Sequence, residues 1–215
     1  MRRPNERPEL RLYIEGGGSA EGKARLRAGF SSFLREIGDE CNQRGISWRP
    51  VCQGCNTETW KAFRNAIQAR EAAWSLVLID ADLRKSEMTG SRASFFQSYQ
   101  GGMVDLQESQ CHLMVVNMEA WFFADPEALA KHFGKGFNRS AIPVRNDLEE
   151  LSSTEVHNAL SAAVRDSKHG KYRKLDDGPK LLAAIDPSLV RQRASSCGRL
   201  FQELREAVTM LAKRR

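Results

Sequence analysis

The stretch WSLVLIDAD, residues 74–82, decides the fold. A continuous apolar run that closes on two aspartates reads as a β-strand buried on both faces, the habit of parallel sheets covered by helices on each side. In open α/β sheets, ligands bind where the carboxyl ends of the strands give way to loops. The pair Asp80-x-Asp82 stands at such an end. Successive strand residues face opposite sides, so Asp80 and Asp82 are expected to point the same way. Neighbouring anions repel each other, and a divalent cation relieves that repulsion.

Working outward, LRLYIE at 10–15 reads as a second strand, ending in Glu15 before Gly16–Gly17–Gly18. Three glycines permit a tight turn and close backbone approach. They are not a phosphate fingerprint, because both the G-x-G-x-x-G spacing and the Lys-Ser/Thr end of a Walker A loop are missing. A helix is expected over 20–41, with Leu26, Phe30, Phe33, Leu34, Ile37 and Cys41 on one face. A short strand over 47–52 contains Pro50, which marks an edge strand or a bulge. A helix over 57–72 carries Trp60, Phe63 and Ile67 and leads back to the opening stretch. This alternation is the grammar of a parallel α/β sheet.

Residues 83–102 are polar and read as a long loop with a short helix, a length of loop that is often functional. CHLMVVNM at 111–118 reads as a fourth buried strand. Asp125 and Pro126 are the N-cap and first residue of a short helix to about His132. The remainder reads as helical. Ser152 and Glu155 form a capping box for a helix to about 166. Gly178 and Pro179 open a shorter helix that closes at Asp186–Pro187, and a final helix over 196–212 repeats Leu200, Leu204, Val208 and Leu211. The expected fold class is α/β: a Rossmann-like, mostly parallel sheet flanked by helices, spanning 1–135, with a helical C-terminal extension over 136–215 packed on it.

The chain has 215 residues, 41% hydrophobic and 28% charged, which fits a globular protein. No apolar run approaches the roughly 20 residues that span a bilayer. The charged start MRRPNERPEL lacks the apolar core of a signal peptide, so a cytoplasmic protein without a membrane partner is expected. The net charge of +6 concentrates at Arg2, Arg3 and Arg7, over 165–174, and in the closing KRR. A basic balance favours polyanionic partners such as nucleic acid, although a solvated surface with a mild excess reads the same way. Cys52 and Cys55 form a CQGC pair, but no second pair follows and His112, His132, His157 and His169 are scattered. A structural zinc site wants four ligands. A thioredoxin-like reading is partly met, since a helix begins near Thr57; buried or turn cysteines in a reducing compartment are the favoured reading.

Glu15, Asp80 and Asp82 together would make a hard oxygen site suited to Mg²⁺ or Mn²⁺. Glu119 and Asp125 follow the fourth strand and could reach a second ion. Two ions about 4 Å apart stabilise the attacking and leaving oxygens of a phosphodiester. Each has a plainer role open to it, Asp125 as a helix cap and Glu119 as an acid favoured by the helix dipole. In KHGKYRKLDDGPKLL, 168–182, Lys171, Arg173 and Lys174 could contact phosphates, and Tyr172 could stack or position a group. Lys174 could also stabilise transition-state charge. The alternative for this segment is a solvated loop between helices.

A glutamate-glycine after the first strand and a DxD after a buried one resemble the TOPRIM domain of topoisomerases, primases and overcoming-lysogenization-defect nucleases. That likeness implies a TOPRIM-type fold in which Glu15, Asp80 and Asp82 hold Mg²⁺ for phosphoryl transfer. Over nearly the whole chain, YIEGGG, VLIDAD, MEAWFFADPEAL, Tyr172-x-Lys174 and LLAAIDPSLVRQRASSCGRLFQEL are similar to the bacterial TOPRIM-like family called domain of unknown function 4276. This similarity implies that Glu119, Asp125, Lys174 and Tyr172 belong to the site. It also implies a setting in anti-phage defence or mobile elements beside an AAA-type or SMC-like ATPase. The chain departs from the TOPRIM pattern at Gly17 and Gly18, where a second acid is usual; Glu21 is the nearest. No tyrosine domain of a topoisomerase and no primase zinc ribbon is visible. The expectation is a metal-dependent nuclease. The alternatives are a non-catalytic module that binds nucleic acid or a partner, and a hydrolase of small phosphoesters.

Overall fold

The computed structural model describes residues 7–69, 73–97 and 105–213. Arg2, Arg3, Arg214, Arg215 and the end of the 83–102 loop lie outside them. The chain runs β1 (Glu9–Glu15), α1 (Ala20–Phe33), α2 (Arg35–Gln43), β2 (Ser47–Gln53), α3 (Asn56–Gln68), β3 (Trp74–Asp80) and α4 (Arg92–Gln97). It continues through β4 (Cys111–Met114), α5 (Met118–Phe122), α6 (Pro126–Phe133), α7 (Ser153–Val164), α8 (Lys174–Ala184), α9 (Pro187–Arg193) and α10 (Ser195–Lys213). The four strands form one parallel sheet in the order β2-β1-β3-β4. This is the α/β, Rossmann-like architecture read from the sequence.

Strand position follows composition. The interior residues of β3 and all of β4 are buried, as their unbroken apolar runs require. β2 is the edge strand, where Pro50 breaks no ladder on its open side. Two aromatic groups cover the sheet. Tyr13, Trp60, Phe63 and Phe96 pack in a chain of tilted and edge contacts; Phe33 stacks on Trp121 and meets Phe201 edge-on. One apolar cluster runs from Leu10 to Leu211, so helices from both ends of the chain share it.

Three helical expectations change. The helix expected over 20–41 breaks at Leu34 (φ −98°, ψ 24°), just after Ser31–Ser32, a small polar pair of the kind found at kinks. The break keeps Phe30 and Phe33 on one side and Ile37 and Cys41 on the other fully packed. The helix expected to open at Gly178–Pro179 begins at Lys174, with Pro179 inside it. The bond that proline forfeits would have run to the Leu175 carbonyl, and Leu175 is exposed, so water can satisfy it. Asp186–Pro187, read as a helix end, also caps and starts α9. The cap at Asp125 and the Ser152–Glu155 box stand as read.

α8 lies directly on α1. A Cβ at Gly29 would come within 2.6 Å of the Pro179 carbonyl oxygen, so only glycine allows this approach. Arg25 of α1 pairs with Asp176 of α8 at the exposed edge of the same crossing. This packing carries the first turn of α8 to the carboxyl end of the sheet. Among the described residues, no helix is long and apolar enough to cross a membrane.

Candidate active site

β1 leads to β2 on one side, and β3 leads to β4 on the other. The crevice therefore opens between the carboxyl ends of β1 and β3, where strand order reverses. Glu15 closes β1 and Asp80 closes β3. Glu15 Oε2 accepts from the backbone N–H of Asp80 at 3.0 Å, and Asp80 Oδ1 accepts from the N–H of Met118 at 2.9 Å. The first bond ties β1 to β3; the second ties β3 to the start of α5.

The α5 turn carries Glu119, capped by Asn117 and 7% exposed. Lys174, at the first position of α8, brings Nζ to 3.6 Å from Asp80 Oδ2 and 3.4 Å from Glu119 Oε1. Tyr172 donates its hydroxyl to the same Glu119 oxygen at 3.1 Å, and its ring meets Phe122 edge-on. Glu119 Oε2 is buried and has no hydrogen-bond partner. An unpaired buried carboxylate oxygen is costly, and at a functional site it points to an absent ion or water.

Electrostatics follow from this crowding. Burial pushes Asp80 up to about 7; Lys174 opposes the rise, while Glu119 and Glu15 add to it. Burial also raises Glu15, against the pull of the Asp80 N–H, and the charge of Asp82 adds to the rise. Burial alone would lower Lys174, but Glu119 and then Asp80 hold it above the usual lysine value. Burial, and then Glu119, raise the Tyr172 hydroxyl.

Asp82 departs from the expected geometry. β3 ends at Asp80, and Asp82 is exposed with a left-handed φ of 54°. Strand alternation has lapsed there, so the two aspartates do not share a face by periodicity. Val116 is also left-handed, at φ 67°, an outlier for a β-branched residue. The two are locked together: the Asp82 N–H donates to Val116 O at 2.8 Å and the Val116 N–H to Leu83 O at 2.9 Å. Strain of this kind persists where surrounding structure enforces it, and it gathers at functional sites.

Asp125 does not join the acids through a free carboxylate. Its Oδ1 accepts from Ala128 N at 3.0 Å and its Oδ2 from Asp186 N at 3.0 Å, so it fastens α6 to α9. Lys171 and Arg173 are exposed, and Arg173 donates its backbone N–H to Asp177. Cys52 is buried and Cys55, at the N-cap of α3, is exposed; both are free. The glycine turn acts mainly by compactness, since a Cβ at Gly22 would meet Gly17 O at 1.9 Å.

Glu15, Asp80 and Lys174 line a cleft of about 550 Å³ together with the apolar Met114, Met118 and Leu26, while Glu119 and Tyr172 line a neighbouring pocket that shares Lys174. Gly54, from the turn after β2, and Glu58, in the first turn of α3, line the cleft too and were not anticipated. Extending the strand-end rule to the edge strand would have found them. All three principal donors are carboxylates, a set suited to hard divalent cations. By donor type, Glu15, Asp80 and Glu119 with its unpartnered oxygen suit Mg²⁺ or Mn²⁺. Among the described residues their oxygens do not form one close three-ligand cluster, and the Lys174 ammonium lies between Asp80 and Glu119.

Residues 14–205 match a family model described as Domain of unknown function (DUF4276). No curated protein and no solved structure matches the chain.

Proposed function

The chain belongs to the DUF4276 family, and from that premise we propose that it is a metal-dependent phosphodiesterase, a TOPRIM-like nuclease acting on DNA or RNA. The observation that carries this reading is the meeting of Glu15, Asp80, Glu119 and Lys174 at the sheet's switch point, with one Glu119 oxygen left unpartnered. Glu15, Asp80 and Glu119 would hold Mg²⁺ or Mn²⁺, with the exposed Asp82 nearby to add charge or a second-ion contact. When bound, such an ion supplies Lewis-acid stabilisation and lowers the pKa of the attacking water.

The chain's own groups do the rest. The Tyr172 hydroxyl fixes the Glu119 carboxylate. The Asp80 N–H fixes that of Glu15. The Lys174 side chain is 55% exposed, so its ammonium can turn from the acids toward a phosphate oxygen and stabilise charge as it develops. Lys171 and Arg173 flank it on the exposed side and would hold neighbouring phosphates. A partner ATPase of AAA or SMC type, in a defence or mobile-element setting, follows from the family resemblance alone.

One observation favours a second reading, a non-catalytic module that binds nucleic acid or a partner. The Lys174 ammonium already lies between Asp80 and Glu119, where it does part of a cation's work. Incubation with plasmid, single-stranded DNA and total RNA, in Mn²⁺ or EDTA, separates the two. Cleavage in Mn²⁺ alone is the expected result. No cleavage, together with no calorimetric binding of millimolar Mn²⁺, would favour the module.

A further inference from the structure

His132, His169 and Asp177 are far apart in sequence and converge behind the Tyr172–Lys174 turn. Their candidate ligand atoms all lie within 4.8 Å of one another. His132 Nε2 is 3.1 Å from Asp177 Oδ1, and His169 Nδ1 is 3.6 Å from the same oxygen. These spacings bracket the ~3.3 Å edge of a tetrahedron built on metal–nitrogen bonds of about 2.0–2.1 Å. His169 Nδ1 is buried and has no hydrogen-bond partner.

The surroundings are those of a built site. Asp177 Oδ2 accepts from the Arg173 N–H at 2.8 Å, which leaves Oδ1 directed at the imidazoles. Outer contacts of this kind orient metal ligands. The Arg173 guanidinium stays on Oδ2, 3.8 Å away, and is half exposed. Phe133 packs edge-on against both imidazoles. The segment bearing His169 is pinned independently, through Lys168 N to Lys135 O at 3.2 Å. His169 is partly exposed, which gives solvent a route to a fourth position.

We propose that His132, His169 and Asp177 bind a borderline divalent transition-metal ion such as Zn²⁺, at a site separate from the carboxylates of the cleft. Two imidazoles and one carboxylate select Zn²⁺ or Co²⁺ over Mg²⁺ or Ca²⁺. The ion ties α6, the segment after α7 and α8 together. Asp177 lies one turn beyond Lys174, so the ion braces the turn that presents Tyr172 and Lys174 to the acids.

The test uses tag-free full-length protein and Co²⁺ or Zn²⁺ alone, with binding as the readout and no substrate present. The wild type should take up one Co²⁺ with the intense visible bands of tetrahedral coordination, and Zn²⁺ should displace it. His132→Asn/His169→Asn should weaken binding by more than ~100-fold, since even loss of an outer-shell partner costs 10–100-fold. Glu15→Gln/Asp80→Asn should leave it unchanged. Circular dichroism checks that each variant is folded, and the more exposed His169→Asn alone serves if the double variant is not. Loss of Co²⁺ binding in the acid variant but not in the folded histidine variants would overturn the proposal. So would absence of Co²⁺ and Zn²⁺ binding to the wild type. Neither result bears on Mn²⁺-dependent cleavage, which is read separately.

Discussion

Glu15 accepts a hydrogen bond from the main chain of Asp80, so one candidate ligand holds the strand that carries another. Charge and scaffold therefore coincide at position 15, and two substitutions pull them apart. Glu15→Gln keeps an acceptor for the Asp80 N–H but removes the charge; metal-dependent cleavage should fall by at least ~100-fold while Tm stays near wild type. Glu15→Ala should lose activity equally and also lose about 1–3 kcal/mol of stability, the usual cost of stranding a buried donor. Cleavage assays in Mn²⁺ and thermal melts read the pair. Full activity in Glu15→Gln would remove Glu15 from the site.

The position of Asp80 predicts a pH dependence in EDTA. Its folded pKa, about 7, lies above the ordinary 3.8, so between these values the folded state holds a proton that the unfolded chain releases. Stability from this group is therefore present at pH 4 and is lost as pH rises toward 7, by on the order of 4 kcal/mol at most. Asp80→Asn should flatten that part of the curve. Denaturant melts from pH 4.5 to 8 check it, and parallel curves for the two proteins would contradict the assignment.

Lys174 separates binding from catalysis. Removing its ammonium as Lys174→Ala leaves Asp80 and Glu119 facing each other without a cation. The metal-free variant should melt lower at pH 8, and Mn²⁺ should raise its Tm by more than it raises that of the wild type. Cleavage should still fall ~100-fold or more, the scale of losing one group that stabilises transition-state charge. An equal Tm shift in both proteins would mean that Lys174 and metal do not share the acids.

Tyr172→Phe keeps the edge contact with Phe122 and removes the hydroxyl on Glu119. The expected result is a fold that melts within about 1 kcal/mol of wild type and a several-fold weaker response to Mn²⁺, read by calorimetry. Unchanged Mn²⁺ affinity would confine Tyr172 to packing.

The cysteines are predicted to be chemically unequal. Burial pushes the thiols of Cys41, Cys52 and Cys111 up to about 12 and raises Cys197 as well, while Cys55 alone of the five is exposed. Brief alkylation of the native protein followed by peptide mapping should label Cys55 first and leave the other four largely untouched. A Cys52–Cys55 disulfide, or equal labelling of both, would reopen a redox role for the CQGC pair.

What could be read from the residues was what neighbouring residues enforce. Apolar runs marked β3 and β4, Pro50 marked the edge, and Ser152 with Glu155 marked a helix start. The acids at strand ends followed from one rule about parallel sheets. What escaped reading was set by distant contacts. The start of α8 at Lys174 depends on docking against α1, which outweighs the Gly178–Pro179 signal. Asp82 left its expected face because Val116 and Leu83 engage its strand end. Histidines that look scattered, His132 and His169, meet through Asp177 only once α6, α7 and α8 are assembled.

The approach of Gly29 to Pro179 has a genetic consequence. Position 29 bears no side chain, yet it sets the distance between α1 and the helix that delivers Lys174. A methyl there would wedge the helices apart and draw the ammonium back from the acids. Position 29 is therefore the place to seek a conditional allele: a chain whose site is complete in the cold and dismantled by modest warming, with every residue of that site unchanged.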